Sequence, residues 1–502
     1  MNIVFVWAGG TGMSGLALML FDLWYHNIVA IDAVESFLMK KIKDKGIKTY
    51  IGHGKYMIQK DDFVIYSDIP AIVAGPEIST SREYQKTPTK KYFHICLSYN
   101  QFIAEISKRF ITISVAWSNG KTSTTGMLIY TLCHSGLDPE SLSIDKVKDP
   151  KSSSGWQKLP MFWLWIVGWL MPDFDQHWYA INTFIQSDIK HLFDHIFNQK
   201  HQLNYDLLKK YIFVIEACEY KEHFLLYDND YILVTNIERD HTDYFTTYES
   251  YTEVFLKCIN KTKRKAILTQ AAYDTLEQAY TTDDTTQAGQ VRSQIKETKI
   301  SISSDYAFTN PTLIGKYYKS NAGMIVQLLQ ELELPTRQLA NSLTHRKGMW
   351  RRMEYIWNTI NGAMIYSDYS HHAPAITGNI EAITTHFPDK KIVIIFQPHQ
   401  AQRILVGRDD FATALQNVDE LFIYKLYTAR EDFFELQQKY DTLESISSFE
   451  ELGKVFAESI WWTYITEAPL LYQKIQWYND NTIIVYFSAG DLDQIIRSYI
   501  TK

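Results

Sequence analysis

The stretch Phe-Ile-Thr-Ile-Ser-Val-Ala-Trp-Ser-Asn-Gly-Lys-Thr-Ser-Thr-Thr, residues 110–125, decides the fold of this chain. The apolar run 110–116 predicts a buried strand, and Gly120-Lys121-Thr122 follows at the start of a helix. In a strand-loop-helix of this kind, backbone N–H groups and a lysine surround phosphates, and a hydroxyl meets Mg²⁺. The segment therefore predicts a nucleotide site in an α/β domain.

The match to the common phosphate-binding loop is incomplete. Val115 stands where the general pattern has its first glycine, and Trp117 would crowd the phosphate cradle. A chance Gly-Lys-Thr at a strand-to-helix turn is the alternative interpretation. The predicted nucleotide-binding residues of this loop are Ser118, Asn119, Gly120, Lys121, Thr122 and Ser123.

Composition points to a multidomain enzyme that acts on small molecules. A chain of 502 residues is long enough for about three domains. The net charge of −7 and the lack of a basic run argue against nucleic acid or anionic membrane as a partner. Four cysteines without zinc spacing fit a reducing compartment, and the longest apolar run, 161–171, is far shorter than the ~20 residues that a bilayer needs. We expect a soluble, cytoplasmic protein.

The N-terminal segment has the layout of a dinucleotide-type βαβ unit. An apolar strand over 2–6 leads into Gly9-Gly10-Thr11-Gly12, a helix over 13–23 and a second strand over 27–31 that ends at Asp32. In such units a helix N-terminus receives a diphosphate, and an acidic residue about 20 positions later meets a ribose hydroxyl. A glycine cluster alone is a weak signal.

Two later strands carry acidic clusters at their carboxyl ends, where open α/β sheets place their ligands. Glu216-Ala217-Cys218-Glu219 closes the strand over 211–217, and residues 236–243, with His241, follow the strand over 231–235. Thr122, Glu216 and His241 are the predicted Mg²⁺ ligands. Surface strand ends are often acidic without any ligand, which is the alternative for either cluster taken alone.

Two further segments are assigned from composition. Residues 138–156, rich in Asp, Pro, Ser and Lys, predict a surface loop or insertion, and the apolar run 161–170 predicts a buried strand. A third α/β unit begins near Thr344, with strands near 364–366, 392–396, 421–425 and 482–487.

These motifs and others near the carboxyl end resemble the Mur ligase family along nearly the whole chain. The segments that carry the resemblance are 9–15, 118–122, 216–219, 236–241, 351–354, 368–372 and 396–400. Within the family the resemblance is strongest to the member that joins L-alanine to UDP-N-acetylmuramate, because sister ligases carry different residues at 396–400.

The resemblance implies an α/β protein of three domains. These are a UDP-sugar-binding Rossmann-like domain over 1–108, a central P-loop ATPase-type domain over 109–343 and a Rossmann-like ligase domain over 344–502. It implies an ATP-dependent carboxylate-amine ligase of peptidoglycan precursor synthesis, a monomer or homodimer that uses Mg²⁺. UDP-N-acetylmuramate would be activated as an acyl phosphate and L-alanine would displace the phosphate, in a cleft that closes and excludes water.

The resemblance also assigns residues. It implies catalytic roles for Lys121, Arg352, Asp368 and His371, and a contact of Asn321 with ATP. The implied substrate-binding residues are Gly9, Gly10, Thr11, Gly12, Met13, Ser14, Asp32, His399 and Arg403. Three alternatives stay open: a ligase that adds a preformed peptide to the same sugar, a nucleotide-binding protein without turnover, and an NAD-dependent oxidoreductase.

The chain departs from the family at several positions. Tyr317 and Tyr318 replace a histidine and an asparagine, which puts contacts on the adenine side in doubt. Ser367 replaces the first of two aspartates, and Ala373 replaces a proline. The stretch 144–165 has no obvious counterpart.

Tryptophan stands where the family has glycine at four positions: 7, 24, 117 and 357. The chain has 22 glycines and 13 tryptophans, and its glycine share of about 4% is below the usual ~7%. Since glycine serves where the backbone needs positive φ or close approach, an indole fits such positions poorly. Our hypothesis is a codon translated as tryptophan but meant as glycine, because some bacterial lineages read UGA as glycine.

Overall fold

The computed structural model describes most of the chain, in two compact units that consist of residues 1–308 with 319–344, and 309–318 with 345–502. The described residues are 2–52, 55–59, 61–67, 95–116, 120–133, 143–148, 156–160, 163–171, 177–181, 186–198, 209, 211–238, 241, 244–280, 299–310, 312–315, 317–346, 348–428, 431–460 and 462–500. The three predicted domain boundaries stay predictions.

The first unit begins with a five-stranded parallel sheet of order β3-β2-β1-β4-β5. This is the strand order of a Rossmann-like half, as predicted, with its switch point between β1 and β4. The elements are β1 Ile3–Val6, α1 Thr11–Asp22, β2 Ile28–Asp32, α2 Phe37–Asp44, β3 Lys48–Ile51, β4 Phe63–Tyr66, β5 Ile95–Ser98 and α3 Tyr99–Ser107.

A seven-stranded sheet follows in the same unit, of order β10-β9-β11-β6-β12-β13-β14, parallel except for the β9-β10 pair. Its strands and helices, with the separate hairpin β7-β8, are β6 Ile111–Ala116, α4 Lys121–Cys133, β7 Ser143–Lys148, β8 Trp156–Pro160, β9 Trp163–Met171, β10 His177–Ile181, α5 Gln186–Asn198, β11 Ile212–Ala217, β12 Tyr231–Val234, α6 Tyr248–Lys261, β13 Lys265–Thr269, α7 Gln270–Tyr280, β14 Ile300–Ser303, α8 Tyr317–Glu331 and α9 Thr336–Asn341.

One assignment in this sheet is corrected and another is confirmed. The expected surface loop at 138–156 contains strand β7 and the start of β8, which pair as an antiparallel hairpin. Composition misled here because cross-strand pairing, which loop-type residues do not reveal, decides strand formation. The described part of the apolar run 161–170 belongs to strand β9, which pairs with β10 on one side and β11 on the other.

The second unit contains a six-stranded sheet of order β15-β16-β20-β17-β18-β19, parallel except at β15. Its elements are β15 Glu354–Asn358, β16 Met364–Asp368, α10 Ala373–His386, β17 Lys391–Gln397, α11 Ala401–Leu415, β18 Glu420–Tyr424, α12 Phe433–Lys439, α13 Phe449–Ser459, β19 Thr463–Ile465, α14 Ala468–Gln476, β20 Thr482–Ser488 and α15 Leu492–Ile500.

Strand β17 shows why this sheet is buried on both faces. Side chains alternate along a strand, so Ile392, Ile394 and Phe396 pack into one apolar cluster. Val393 and Ile395 pack into the cluster on the opposite face. A continuous apolar run is what a parallel strand covered on both sides requires. Among the residues described, no helix is both long enough and apolar enough to cross a membrane.

Trp24 occupies a backbone position that favours glycine. Helix α1 ends with Trp24 N–H bonded to the Phe21 carbonyl (3.0 Å) and Tyr25 N–H bonded to the Leu20 carbonyl (3.1 Å). Trp24 itself has φ 67°. These bonds and this φ define a Schellman motif, whose left-handed residue is usually glycine. The Trp24 indole is 56% exposed, so little packing compensates for the backbone strain.

Trp7 and Trp357, the other two of these tryptophans that the structure describes, differ from each other in backbone conformation. Trp7 has φ 65° and is buried in the cluster with Val4, Val29 and Ile31. Trp357 lies in β15 without a positive φ, beside a register shift, and its ring stacks on Tyr472. The positive φ that would favour glycine is therefore present at positions 7 and 24 and absent at 357. Trp117 lies outside the described residues.

Candidate functional site

The predicted phosphate-binding loop lies at the carboxyl end of β6. Gly120 has φ 78°, a conformation that glycine adopts readily, and its carbonyl accepts the Thr124 N–H. Lys121 then begins α4. Ser118 and Asn119 lie outside the described residues, so their predicted contacts stay predictions.

The two acidic segments reach this loop because their strands flank β6. Strand β11 pairs with β6 in parallel register, which sets Glu216 opposite Val115. On the other side β12 pairs with β6 and sets Val234 opposite Ala116. Since parallel strands end at the same edge of a sheet, the segments that follow both strands converge on α4.

Lys121 forms an ion pair with Glu219. The distance from Lys121 Nζ to Glu219 Oε2 is 2.9 Å, and the Glu219 side chain is fully buried. Burial alone would lower the pKa of Lys121, but the charge of Glu219 outweighs it and raises that pKa above its usual value. The ammonium is therefore charged at neutral pH. Glu219 lies in the motif at 216–219 but is not among the predicted site residues, because its burial is a property of the folded chain.

Thr122 and Glu216 form a second pair, in which the Thr122 hydroxyl donates to Glu216 Oε1 at 2.8 Å. The third predicted metal ligand, His241, lies nearer to Glu219, with 3.6 Å between His241 Nε2 and Glu219 Oε1. Tyr251 also donates a hydroxyl hydrogen bond to Glu219 Oε1, at 3.4 Å. Thr122 and Glu216 thus contact each other, while His241 lies beside the Glu219 carboxylate that pairs with Lys121.

The predicted sugar-nucleotide loop is shaped by Asp32. Its Oδ2 accepts the Gly9 N–H at 2.7 Å, and its Oδ1 accepts the Val34 N–H at 3.2 Å. The side chains of Met13 and Ser14 are buried, and the Ser14 hydroxyl donates back to the Gly10 carbonyl at 2.8 Å. Any ligand contact of Gly10, Thr11 or Gly12 would therefore come largely from backbone N–H groups at the start of α1.

Tyr99, which the sequence did not mark, lies against this loop. A Cβ atom at position 12 would lie 2.9 Å from the end of the Tyr99 ring, so a larger residue there would force this ring to move. Burial, with the negative charge of Glu216, raises the pKa of Tyr99 above its usual value. Asn321, a predicted ATP contact, is buried on α8, and its Nδ2 has no hydrogen-bond partner among the described residues.

In the second unit the arginine pair divides into a buried and a more accessible member. Arg351 has φ 53°, is 5% exposed and donates a hydrogen bond to the Ser488 carbonyl. Arg352 lies over the Tyr369 ring, 5.5 Å from its centroid, and its side chain is partly exposed. Arg352 is thus the more accessible of the two, and its predicted catalytic role stays a prediction.

Asp368 holds the turn that carries this pair. Its Oδ2 accepts the Met353 N–H at 2.8 Å and its Oδ1 accepts the Ser370 N–H at 2.7 Å. Met353 has φ 45°, so the carboxylate stabilises a strained backbone next to Arg352. These contacts give Asp368 a positioning role. Its predicted catalytic role stays a prediction.

A buried aspartate that the sequence did not mark lies beneath Ser367. Asp493, fully buried, accepts hydrogen bonds from the Ser367 hydroxyl (2.8 Å), the Tyr486 hydroxyl (2.9 Å) and the Arg497 guanidinium (3.1 Å). Arg351 Nε lies 3.8 Å away. The serine that replaces an acidic residue thus donates to a carboxylate of α15.

The predicted histidines meet at the carboxyl ends of β16 and β17. The rings of His371 and His399 are 5.5 Å apart, His399 stacks on Tyr427 at 5.6 Å, and Arg403 Nη1 lies 3.3 Å from His399 Nδ1. Burial first, then neighbouring cations, lowers the pKa of His399 to about 4. The same causes hold the pKa of His371 well below its usual range. Both rings are neutral at pH 7.

We expect the second unit to lose stability as the pH falls from about 6.5 to about 4. The unfolded chain binds the His399 proton near pH 6.5, whereas the folded chain binds it near pH 4. Between these values the unfolded state holds more protons, so acidification costs about 1–2 kcal/mol by pH 5 after allowance for partial exposure. Urea unfolding at pH 7 and pH 5 measures this.

His399→Gln should reduce the pH dependence, while substitution of the exposed His386 by glutamine serves as the control and should leave it unchanged. An equal pH dependence in the wild type and His399→Gln would contradict the prediction.

The chain is similar in sequence to known proteins over nearly its whole length. No protein-family model matches it. A UDP-N-acetylmuramate–L-alanine ligase of Hydrogenobaculum sp. (strain Y04AAS1) is 25% identical over 513 residues, 99% of this chain and 97% of the relative. The corresponding ligase of Desulfitobacterium hafniense (strain Y51) is 26% identical over 453 residues, 86% of each chain.

Solved structures show the same fold. A UDP-N-acetylmuramate–alanine ligase from Thermotoga maritima has a TM-score of 0.66 at 18% identity, and the match covers 100% of this chain and 98% of that one. A murein peptide ligase from Psychrobacter arcticus has a TM-score of 0.57 at 17% identity, with the same coverage. The α/β architecture predicted from the sequence is confirmed.

Proposed function

We infer that this chain, a member of the Mur ligase family, is an ATP-dependent carboxylate-amine ligase. Its proposed reaction joins L-alanine to the carboxylate of UDP-N-acetylmuramate in peptidoglycan precursor synthesis. The observation that carries the proposal is the paired arrangement of Lys121 with Glu219 and of Thr122 with Glu216 beside β6. It is supported by the near full-length likeness to ligases of that name.

The residues around Lys121 fit ATP and Mg²⁺. Gly120 turns the backbone at the start of α4, so that N–H groups of the first helical turn can face phosphate oxygens. Thr122, Glu216 and His241 offer hydroxyl, carboxylate and imidazole ligands. When bound, Mg²⁺ neutralises negative charge on the β- and γ-phosphates. Lys121 would exchange its contact with Glu219 for a phosphate oxygen.

The chemistry proceeds in two displacements. A carboxylate oxygen of UDP-N-acetylmuramate attacks the γ-phosphorus of ATP and ADP leaves, which gives an acyl phosphate. The amine of L-alanine then attacks the acyl carbon and phosphate leaves, which forms the amide. The protein contributes positioning and charge neutralisation. Arg352 is suited to a phosphate because its planar guanidinium presents two parallel donors.

The histidine cluster suits the amino-acid substrate. Arg403 can bind a carboxylate. His371 and His399 are neutral at pH 7 because their pKa values are lowered, so their imidazole nitrogens can accept a hydrogen bond from the alanine ammonium without repelling it. The same low pKa makes them weak bases, so the role proposed for them is to position the amine for the second displacement.

Release of ADP with different acceptors tests the proposal. The protein, as written and with glycine at position 117, is incubated with ATP, Mg²⁺, UDP-N-acetylmuramate and either L-alanine, glycine, L-serine or a tripeptide. We expect the highest kcat/KM with L-alanine. Preference for the tripeptide would favour a peptide-adding ligase, and no ADP release with any acceptor would favour a nucleotide-binding protein without turnover.

A further inference from the structure

A buried carboxylate of α15 lies beneath the turn that carries Arg352. Asp493, in the first turn of this helix, is fully buried. Its side chain faces four polar groups, which are the Arg351 guanidinium, the Ser367 hydroxyl of β16, the Tyr486 hydroxyl of β20 and the Arg497 guanidinium of α15. One carboxylate thus connects the last helix to two strands and to residues 351–353, which we call the arginine turn.

The backbone of the arginine turn depends on its surroundings. Arg351 and Met353 have φ of 53° and 45°, in the left-handed region that residues with a side chain disfavour. Such a conformation persists only when surrounding contacts hold it. Since Arg352 lies between these two residues, the same contacts set the direction in which its side chain leaves the backbone.

Asp493 holds the first residue of the arginine turn through an ion pair. Arg351 Nε lies 3.8 Å from Asp493 Oδ1, and the Arg351 guanidinium also donates to the Ser488 carbonyl at the end of β20. The Arg351 side chain is buried, so it has little room to move. This pair therefore ties the start of the turn to α15 and β20.

Asp493 also supports the other end of the arginine turn. The Ser367 hydroxyl donates to Asp493 Oδ1 at 2.8 Å, and Ser367 directly precedes Asp368 in β16. Asp368 Oδ2 in turn accepts the Met353 N–H at 2.8 Å. Both ends of the turn are thus connected to one buried carboxylate.

We propose that Asp493 is a positioning residue, which aligns Arg352 with the transferred phosphate without touching a ligand; this inference rests on the proposed function. Removal of one partner of a buried ion pair leaves the other charge uncompensated. Without Asp493, Arg351 should therefore move toward solvent and displace the turn. Since misplacement of a group by about 1 Å can cost about 100-fold in rate, a small shift of Arg352 is enough to slow phosphoryl transfer.

Asp493→Asn tests the proposal, because the amide has nearly the shape of the carboxylate and no charge. We expect kcat for ADP release to fall at least 10-fold. The KM for UDP-N-acetylmuramate should change less than 2-fold, because the contacts predicted for it at residues 9–14 and Asp32 lie in the first unit. Asp419→Asn is the matched control and should keep the wild-type kcat, since Asp419 Oδ2 accepts the Ile392 N–H (2.7 Å) at the amino end of β17.

A double variant separates positioning from a general loss of folded protein. In the Arg352→Met background, Asp493→Asn should lower the remaining single-turnover rate by less than 2-fold, because no guanidinium is left to position. A general structural defect would lower the rate by the same factor in both backgrounds, and that result would overturn the proposal. A wild-type kcat in Asp493→Asn would also overturn it.

Hydrogen exchange tests the same proposal without any measurement of activity. The N–H groups of residues 351–353 are all hydrogen-bonded, to Glu354 Oε2, the Met349 carbonyl and Asp368 Oδ2. In Asp493→Asn they should exchange at least 10-fold faster than in wild-type protein, while the N–H groups of β17 should exchange at the wild-type rate.

Ser367→Ala is a milder variant for the case that Asp493→Asn does not fold. It keeps the ion pair and removes one hydrogen bond to Asp493, so exchange in the arginine turn should become at least 3-fold faster. Unchanged exchange in a variant whose folding is confirmed by circular dichroism would overturn the proposal. If the wild-type protein has no ligase activity, the proposed function fails, and the exchange rates still decide whether Asp493 holds the turn.

Discussion

Lys121→Met is expected to lower ATP-dependent turnover by at least 1000-fold, that is, by about 4 kcal/mol of transition-state stabilisation. Lys121 places its ammonium at the start of α4, directly after the predicted phosphate loop. The charge of Glu219 keeps this ammonium protonated, so wild-type protein always presents a cation there. Single-turnover ADP release measures the loss, and more than a tenth of wild-type turnover in the variant would contradict it.

The same substitution should also reduce the stability of the nucleotide-free protein. It leaves the fully buried Glu219 with Tyr251 and His241 as the polar partners that the structure describes for its Oε1. Loss of one partner of a buried pair costs up to about 3–5 kcal/mol, and the two remaining neighbours should keep the loss nearer to about 2 kcal/mol. The double variant Lys121→Met/Glu219→Gln removes the uncompensated charge, so it should regain stability without regaining turnover.

A matched control separates these effects from a general loss of charge. Lys257 forms an ion pair of 2.9 Å with Glu253 on α6, and its side chain is 38% exposed. Lys257→Met should change the free energy of unfolding by less than about 1 kcal/mol and leave turnover at the wild-type level.

Trp117→Gly is expected to raise turnover at least about 100-fold over the chain as written, because misplacement of reacting groups by about 1 Å already has an effect of this size. The residue that directly follows β6 in the sequence must let the backbone approach phosphate closely, and a large side chain prevents that approach. Steady-state ADP release from both proteins measures the change. Equal turnover in the two proteins would contradict the prediction.

The other tryptophans provide internal comparisons for this experiment. Trp24→Gly should raise the free energy of unfolding by about 1 kcal/mol, since a side chain in the left-handed region costs about 1–2 kcal/mol. Trp350→Gly should instead destabilise by about 1–3 kcal/mol, because the Trp350 ring lies 5.5 Å and 5.9 Å from the guanidinium groups of Arg351 and Arg497.

The nucleotide sequence tests the codon hypothesis directly. It predicts UGA at positions 7, 24, 117 and 357, and UGG at position 350. The structure gives Trp357 a stacking partner and no positive φ, so UGG there would be consistent with the fold, although the resemblance predicted glycine. UGG at all of these positions would show that the indoles are genuine, and would favour a protein that has lost ATP turnover.

Local sequence signals were sufficient for the α/β character of the chain and for identifying the segments that lie together beside β6. The strand, glycine turn and lysine at residues 110–122 depend on neighbouring residues alone. The acidic ends of β11 and β12 were predicted to approach this loop, because parallel strands end at one edge of a sheet. The hairpin β7-β8 was missed, because its strands exist through pairing with each other and not through their own composition.

Only the tertiary structure decided which polar groups are partners. Lys121 pairs with Glu219, 98 residues away, while Thr122 pairs with Glu216; two carboxylates of one motif thus take different tasks. Asp493 supports Ser367 across 126 residues, and Cys218 lies beside His241. Sequence fixes which residues follow each strand, since that depends on neighbours in the chain. Which side chains meet depends on the register between strands and on burial, and these are set only when the whole sheet has formed.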